Sequence, residues 1–478
     1  MKKFLLGTVA LIALGSAANA ADLAARYTKA PVVAPVSNWT GFYAFGGFGY
    51  GQMSSDQHGT ASGLAAVIDT RTGGRGYFGT VGLGYDYQLT PAWVVGVFGD
   101  AQFGSIRGSL IDLRGTSGNL KNDANYAAGA RLGYLVAPNV LSYVNAGYSY
   151  GQFKGTTFTD GSTIGKSHRD GWFIGGGVEN DLNLFGIKAP GWFMKTEYRV
   201  AEYDWKNSLY AGSANGIAFK PYVQTVSTSL VYRFNSHVTP GADAGTPFYT
   251  KAARSPAYNW TGFYLAGGGG YGLLSSDQHT VVGGTASSID TRTGGRGYFG
   301  TVGGGYDWQI NPTWVVGIFG DAQFGDIRGS LVDVNTGLNA RLKNDTNYAA
   351  GARLGYLIAP NALSYVNVGY SHADFKNAAF QTLSGLPGSS AIRKNGYDGW
   401  FIGGGVENDL NLLGISAPGW FMKTEYRVAE YNRKLGAEYD LASGALTGNG
   451  IAYKPYVQTV STSLVYRFNW GSPVVAKY

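Results

Sequence analysis

The chain carries almost the whole of one sequence twice. The segment WFIGGGVENDLNL occupies Trp172–Leu184 and returns unchanged at Trp400–Leu412. The segment KPYVQTVSTSLVYRFN occupies Lys220–Asn235 and returns unchanged at Lys454–Asn469. Because matches of this kind run along both halves, the repeated unit is a complete domain and not a short solenoid repeat. Any fold assigned to the first copy must therefore form a second time.

Each copy contains eight segments in which apolar and polar residues alternate, the pattern of a β-strand with two different faces. In GWFMKTEYRVAEY, for example, Lys195, Glu197 and Arg199 share one face, opposite an apolar and aromatic face. Each segment is slightly longer than the ~9–11 residues that a tilted strand needs to cross a bilayer. In the first copy the segments are Thr40–Gly51, Gly76–Gln88, Ala92–Gly104, Asn122–Val136, Val140–Phe153, Gly171–Leu184, Gly191–Tyr203 and Lys220–Phe234.

The connections alternate between short turns and long loops. Short turns follow the second, fourth and sixth segments, whereas long loops such as Gln52–Arg75 follow the odd-numbered ones, and every length difference between the copies falls in a long loop. This arrangement predicts an all-β, transmembrane, antiparallel up-and-down β-barrel with its long loops outside the cell. Two architectures remain open: two tandem eight-stranded barrels, which we favour, or one sixteen-stranded barrel that encloses a channel.

The first residues predict export. Lys2 and Lys3 precede the apolar run Phe4–Leu14, and Ala18-Asn19-Ala20 fits a cleavage site, as in a secretory signal peptide. The predicted organisation is a signal peptide at 1–20, a periplasmic leader at 21–37, a first barrel at 38–235, a linker at 236–258, a second barrel at 259–469 and a tail at 470–478. The predicted location is the cell outer membrane.

The strand alternation predicts nine charged side chains inside each barrel. Their near-balanced signs indicate a structural network, because a buried charge persists only when it is paired. The first copy contributes Asp86, Asp100, Arg131, Glu179, Asp181, Lys195, Glu197, Arg199 and Arg233. The second contributes Asp307, Asp321, Arg353, Glu407, Asp409, Lys423, Glu425, Arg427 and Arg467. On the outside, aromatic residues that include Trp39, Trp93 and Trp192 are predicted to lie at the periplasmic membrane interface.

Three motifs resemble a known family. NWTGFY in the first strand, the VEND and TEYR pair in strands six and seven, and the terminus VYRFNWGSPVVAKY are similar to the porin-like, eight-stranded immunogenic outer-membrane proteins of rhizobia, Brucella and related alphaproteobacteria. The resemblance covers both copies, although the family normally has one barrel per chain. It implies insertion by the barrel-assembly machinery and a role in envelope integrity and surface exposure. Alternating residues of the last strands resemble the sorting signal read by that machinery: Leu230, Tyr232, Phe234, Leu464, Tyr466 and Phe468.

We therefore expect a structural surface protein of the outer membrane with little or no conductance. The alternatives are a sixteen-stranded porin-like channel for small solutes and a surface receptor for a ligand such as haem. The chain has no cysteine, and its five histidines show no metal-ligand spacing, so we expect neither an enzyme nor a cofactor. The expected partners are outer-membrane lipid, lipopolysaccharide and the barrel-assembly machinery. The modest formal charge of +7 does not favour nucleic acid, and the sequence leaves the oligomeric state open.

Overall fold

The computed structural model describes residues 38–234 and 259–468, apart from 66–68, 113–115, 138, 183–186, 188, 288–289, 334–335, 383–384 and 411–416. The predicted signal peptide at 1–20, leader at 21–37, linker at 236–258 and tail at 470–478 lie outside the described residues. In the described part of the chain no helix is long and apolar enough to cross a membrane, a finding that concerns helices only.

Eight long antiparallel strands form the first barrel. Strand β1 pairs with β2 on one side and with β8 on the other, so that Tyr43 lies opposite both Gly84 and Arg233. The sheet therefore closes on itself within the first copy. The strands are β1 (Gly41–Ala61), β2 (Thr70–Gln88), β3 (Trp93–Asp112), β4 (Thr116–Ala137), β5 (Val140–Phe153), β6 (Ser167–Asp181), β7 (Trp192–Tyr203) and β8 (Gly216–Arg233).

The second copy repeats this arrangement. Its first strand pairs with its second and its last, so that Tyr264 lies opposite Gly305 and Arg467. The strands are β9 (Gly262–Val282), β10 (Thr291–Gln309), β11 (Trp314–Asp333), β12 (Leu338–Ala359), β13 (Ala362–Phe375), β14 (Asn395–Asp409), β15 (Trp420–Tyr431) and β16 (Leu446–Arg467). Both copies are thus closed up-and-down barrels, which confirms the predicted fold class.

The first four strands of the first copy, β1 to β4, are much longer than the sequence pattern predicts. The segment Gln52–Arg75, predicted to be a loop, is largely strand, because β1 continues to Ala61 and β2 begins at Thr70. Polar residues occupy both faces here, so the alternation that marks a membrane strand disappears although the pairing continues. Short strands extend the loops further: Leu64–Ala65, Thr156–Thr157, Thr163–Ile164, Lys206–Leu209, Thr285–Ala286, Ala378–Gln381, Pro387–Ile392 and Lys434–Asp440.

The turn before β7 ends with the same backbone conformation in both copies. Gly191 has a φ of 81° and Gly419, its counterpart before β15, has a φ of 84°. This left-handed conformation is accessible to glycine at little steric cost. Strands β7 and β15 begin at the next residue, Trp192 and Trp420.

Candidate functional site

The interior of each barrel is the candidate site, because the predicted charged residues converge there. In β7, Lys195, Glu197 and Arg199 are buried, whereas Trp192 and Thr196 on the other face are exposed. The charged face of GWFMKTEYRVAEY therefore lines the lumen, and the apolar face points outward.

The first cluster of the lumen joins two arginines to two carboxylates. Arg131 Nε donates to Asp86 Oδ1 at 2.8 Å, and its Nη1 donates to Glu179 Oε2 at 3.1 Å. Arg233 binds the same two acids, with Nε at 2.7 Å from Glu179 Oε1 and Nη2 at 2.8 Å from Asp86 Oδ2. Four strands are thereby tied together inside the barrel, and each charge has opposite charges beside it, as burial requires.

The second cluster centres on Glu197. Arg199 donates to Glu197 Oε1 at 2.7 Å and to Asp100 Oδ2 at 2.6 Å, while Lys195 Nζ lies 3.7 Å from Glu197 Oε2. The hydroxyl of Tyr143 and the amide of Asn145 also donate to Glu197 Oε2, at 2.8 and 3.0 Å. This one carboxylate therefore holds two cations and two neutral donors.

The second copy contains the same two clusters. Arg353 and Arg467 bind both Asp307 and Glu407, while Arg427 binds Asp321 and Glu425. Lys423 Nζ lies 3.8 Å from Glu425 Oε2. Sixteen of the eighteen predicted lumen residues thus belong to these clusters.

The remaining two residues, Asp181 and Asp409, lie apart from the clusters. They are buried at the last positions of β6 and β14, at the turns leading to β7 and β15. There the Asn361 side-chain amide donates to Asp409 Oδ1 at 3.1 Å. Their contacts serve the turn region of the barrel.

Aromatic rings complete the lumen, and sequence reasoning missed them. Arg131 lies over the Tyr43 ring at 4.4 Å, and Lys195 Nζ lies 3.3 Å from the centre of the Phe45 ring. Such cation–π contacts stabilise buried cations. Strand parity could have identified both rings, because Tyr43 and Phe45 alternate along β1 with the outward-facing Phe42.

The prediction for Trp39 is wrong. The sequence predicts this ring on the outside of the barrel, at the periplasmic membrane interface. The ring is instead fully buried, 4.2 Å from Arg233 and packed on Phe193. Trp39 lies four residues before Tyr43, an even spacing that places both side chains on the inner face. The Trp39 ring covers the first ion-pair cluster. Trp93 and Trp192, at 41% and 40% exposure, do lie on the outside.

The two lumens differ beside the second charge cluster. Phe45 of the first barrel corresponds to Ala266 in the second, so that Lys423 has no ring at this place. A cavity of about 10 Å³ borders Ala266, Asp321 and Lys423, close to the smallest volume that can hold one water molecule. The missing ring thus leaves a small void at this level.

The six predicted sorting residues lie on the outer face of the last strands. Leu230 and Phe234 are 51% and 58% exposed, and Leu464 and Phe468 are 50% and 55% exposed. Tyr232 packs against Trp192 at 5.2 Å, as Tyr466 packs against Trp420. They form an apolar, lipid-facing end to each barrel.

Two histidines, one in β1 and one in β13, contact aspartates. His58 Nδ1 lies 2.9 Å from Asp69 Oδ1, and His372 Nδ1 lies 2.8 Å from Asp398 Oδ1. Across the described ranges there is no group of three or more histidine, aspartate or glutamate side chains that could hold a metal ion.

Comparison with known proteins agrees with this architecture. The family model described as outer membrane protein beta-barrel domain matches residues 7–234 and 248–472. The 31 kDa outer-membrane immunogenic protein of Brucella melitensis is 28% identical over 252 residues, covering 49% of this chain and 100% of that protein. The 22 kDa outer membrane protein of Rhizobium leguminosarum bv. viciae is 26% identical over 205 residues, covering 41% of this chain and 75% of that protein.

Solved structures show weaker similarity. A FadL homologue of Pseudomonas aeruginosa covers 90% of this chain and 91% of its own at 11% identity, with a TM-score of 0.27. Ail of Yersinia pestis covers 40% of this chain and 99% of its own at 14% identity, with a TM-score of 0.21. The family match spans nearly the whole chain: this protein belongs to the outer membrane protein beta-barrel domain family, and it contains the domain twice.

Proposed function

We propose that the protein is a structural, surface-exposed component of the outer membrane that conducts little or no current. The observation that carries the proposal is the filled lumen. Two layers of paired charges, with Trp39 or Trp260 beside the first layer, occupy the inside of each barrel. An eight-stranded barrel has just enough interior for its own side chains. A solute would have to displace buried ion pairs to pass.

Strand pairing argues against the porin-like alternative. In a sixteen-stranded barrel the first strand would pair with the last strand of the chain, but here β1 pairs with β8 over its length, from Tyr43 to Thr60. The strand β9 pairs in the same way with β16. Each lumen is therefore bounded by one copy alone.

The long strands support a role at the cell surface. Tyr50, which pairs with Tyr77, lies eight residues after Phe42, so the stretch Phe42–Tyr50 is about the length that crosses a bilayer. Since β1 has 21 residues, its upper half extends beyond the membrane core. The barrels thus present a rigid β-structured extension, topped by loops, to the exterior.

Current measurement across planar bilayers tests this proposal. The purified full-length protein should give no regular steps, whereas a sixteen-stranded general porin inserted under the same conditions serves as the conducting control. Stable steps of porin size from this protein would contradict the proposal and would favour a diffusion channel.

A further inference from the structure

A strip on the outside of each barrel is buried although it faces away from the lumen. Gln52 and Ser54 of β1 alternate with the inward-facing Met53, yet both have 0% exposure. By contrast, the lower outward residues Phe42 and Phe48 are 62% and 55% exposed. The other barrel covers the strip, and we call this contact the barrel–barrel seam.

Reciprocal ion pairs cross the seam. Arg75 donates to Asp277 at 2.6 Å, and its counterpart Arg296 donates to Asp56 at 2.5 Å. Each aspartate also binds an arginine of its own barrel, Asp56 to Arg71 and Asp277 to Arg292. All six side chains are between 16% and 27% exposed, so the pairs are shielded in part from solvent screening.

The two backbones meet within the seam. Thr72 and Thr293 form a β-bridge between β2 and β10, the one strand-to-strand pairing between the barrels in the described residues. A Cβ atom on Gly73 would lie 2.4 Å from the carbonyl oxygen of Thr293, and one on Gly294 would lie 2.3 Å from that of Thr72. Only glycine permits this approach.

Hydrogen bonds beside the bridge repeat with the same symmetry. The Arg71 amide donates to Ser330 Oγ at 3.0 Å, and the Arg292 amide donates to Ser109 Oγ at 2.9 Å. Arg71 Nη1 donates to the carbonyl oxygen of Arg328 at 2.9 Å, as Arg292 Nη1 donates to that of Arg107. Equivalent residues of the two copies therefore exchange equivalent contacts.

Lower contacts continue the seam toward the periplasm. Tyr50 approaches Tyr456 at 6.1 Å, Tyr222 approaches Tyr271 at 5.7 Å, and Tyr198 approaches Tyr426 at 6.3 Å. Near the periplasmic turns an apolar cluster includes Val140 of the first barrel and Ile358, Ala359 and Ala362 of the second. The seam thus extends from the polar upper ends to the lower turns, with both barrels in the same orientation.

We propose that the seam is a self-complementary docking surface whose partner is a second copy of the same barrel, and that it locks the two barrels of this chain into one membrane body. The same patch serves on both sides, which is the mark of an isologous contact around a twofold axis. Such a contact is closed, so the paired barrels leave no free copy of the patch for another chain. The seam, and not the linker, keeps the barrels together.

Cleavage of the linker in the folded protein tests the proposal. A protease site is inserted within 236–258 of the full chain, the detergent-solubilised protein is cut, and native mass spectrometry measures the particle mass. The two halves should remain a 1:1 pair. The variant Gly73→Val with Gly294→Val should separate into single barrels after cleavage, because the added side chains collide with the facing backbone.

The matched control is Gly46→Val with Gly267→Val. These two glycines face outward like Gly73 and Gly294, but they lie on the first strand of each copy. A Cβ atom there has no neighbour nearer than 3.9 Å. The control should stay paired after cleavage. Heat-dependent gel mobility shows whether each half is still a folded barrel. If the Gly73→Val, Gly294→Val variant does not fold, the double variant Asp56→Lys with Asp277→Lys takes its place in the test. Wild-type halves that separate, or folded seam variants that stay paired, would overturn the proposal.

Discussion

Glu197 is the residue on which the second lumen cluster depends. It accepts hydrogen bonds from Arg199, Tyr143 and Asn145, and Lys195 lies beside it. In the sequence, Glu197 alternates with outward-facing residues in the same way as Lys195 and Arg199. The pattern therefore does not mark it as the centre of a cluster. Strand parity predicted that it lies inside, but the bonds from Tyr143 and Asn145 depend on a register that the sequence does not reveal.

We predict that Glu197→Gln lowers the stability of the first barrel while the fold is retained. The substitution leaves Arg199 and Lys195 short of negative charge, and loss of one partner from a buried ion pair costs about 3–5 kcal/mol. The temperature of the heat-induced mobility shift measures the effect. Thr196→Val, on the neighbouring exposed position, is the control and should melt like wild type. Equal melting of all three proteins would contradict the assigned lumen network.

A buried arginine distinguishes the upper lumen of the first barrel. Arg169 is 1% exposed and lies 3.5 Å from the centre of the Phe219 ring. Its Nη2 donates to the Lys206 carbonyl, but its Nε and Nη1 atoms have no hydrogen-bond partner among the described residues. The second barrel has Tyr397 at this position, packed on Phe375 and Tyr453.

Exchange of these residues should change stability in opposite directions. Arg169→Tyr should raise the melting temperature, because a buried donor without a partner costs about 1–3 kcal/mol and more when charged. Tyr397→Arg should lower it by placing the same charge in the equivalent apolar surroundings. Thermal unfolding of both variants beside wild type measures the shifts. A stable Tyr397→Arg variant together with a destabilised Arg169→Tyr variant would show that the arginine is fully satisfied.

For the individual strands, the sequence predicted their order and their direction better than their lengths. Eight strands per copy, short turns and long connections all follow from alternation and turn residues. The upper ends of β1 and β2 escaped prediction because both of their faces are polar, as in Gln52–Gln57. Polarity on both faces is expected of a loop, and backbone pairing above the membrane leaves no hydrophobic signature.

Surface labelling should follow the corrected strand boundaries. An epitope tag at Gly161 or Gly444 should be labelled on intact cells, since both glycines have positive φ and open space around them. Gly118, predicted to be in a loop, lies in β4, where a Cβ atom would approach Thr156 at 3.1 Å, so a tag there should impair folding. A tag at Asn139 should require permeabilised cells. Labelling of Asn139 but not Gly161 on intact cells would invert the topology.

For the whole molecule, composition and repetition predicted two barrels but not how they meet. The seam uses Asp56, Arg71 and Arg75, which stand in a segment predicted to be a loop. A polar outward residue looks the same in sequence whether water or another barrel covers it. Only the register, which brings Gly73 against Thr293, reveals the contact.

Closure of each copy on itself can be tested directly with a disulfide, because the chain has no native cysteine. Ala44 lies opposite Tyr232 across β1 and β8. Paired residues of antiparallel strands have Cα atoms about 4.5–5.5 Å apart, within the range of a disulfide.

The measurement compares two double variants, Ala44→Cys with Tyr232→Cys and Ala44→Cys with Tyr466→Cys. Each is oxidised in membranes and then run on denaturing gels with and without reductant. We predict that the first pair cross-links and the second does not. A disulfide in the second pair and none in the first would place the first strand beside the last and would establish a single sixteen-stranded barrel.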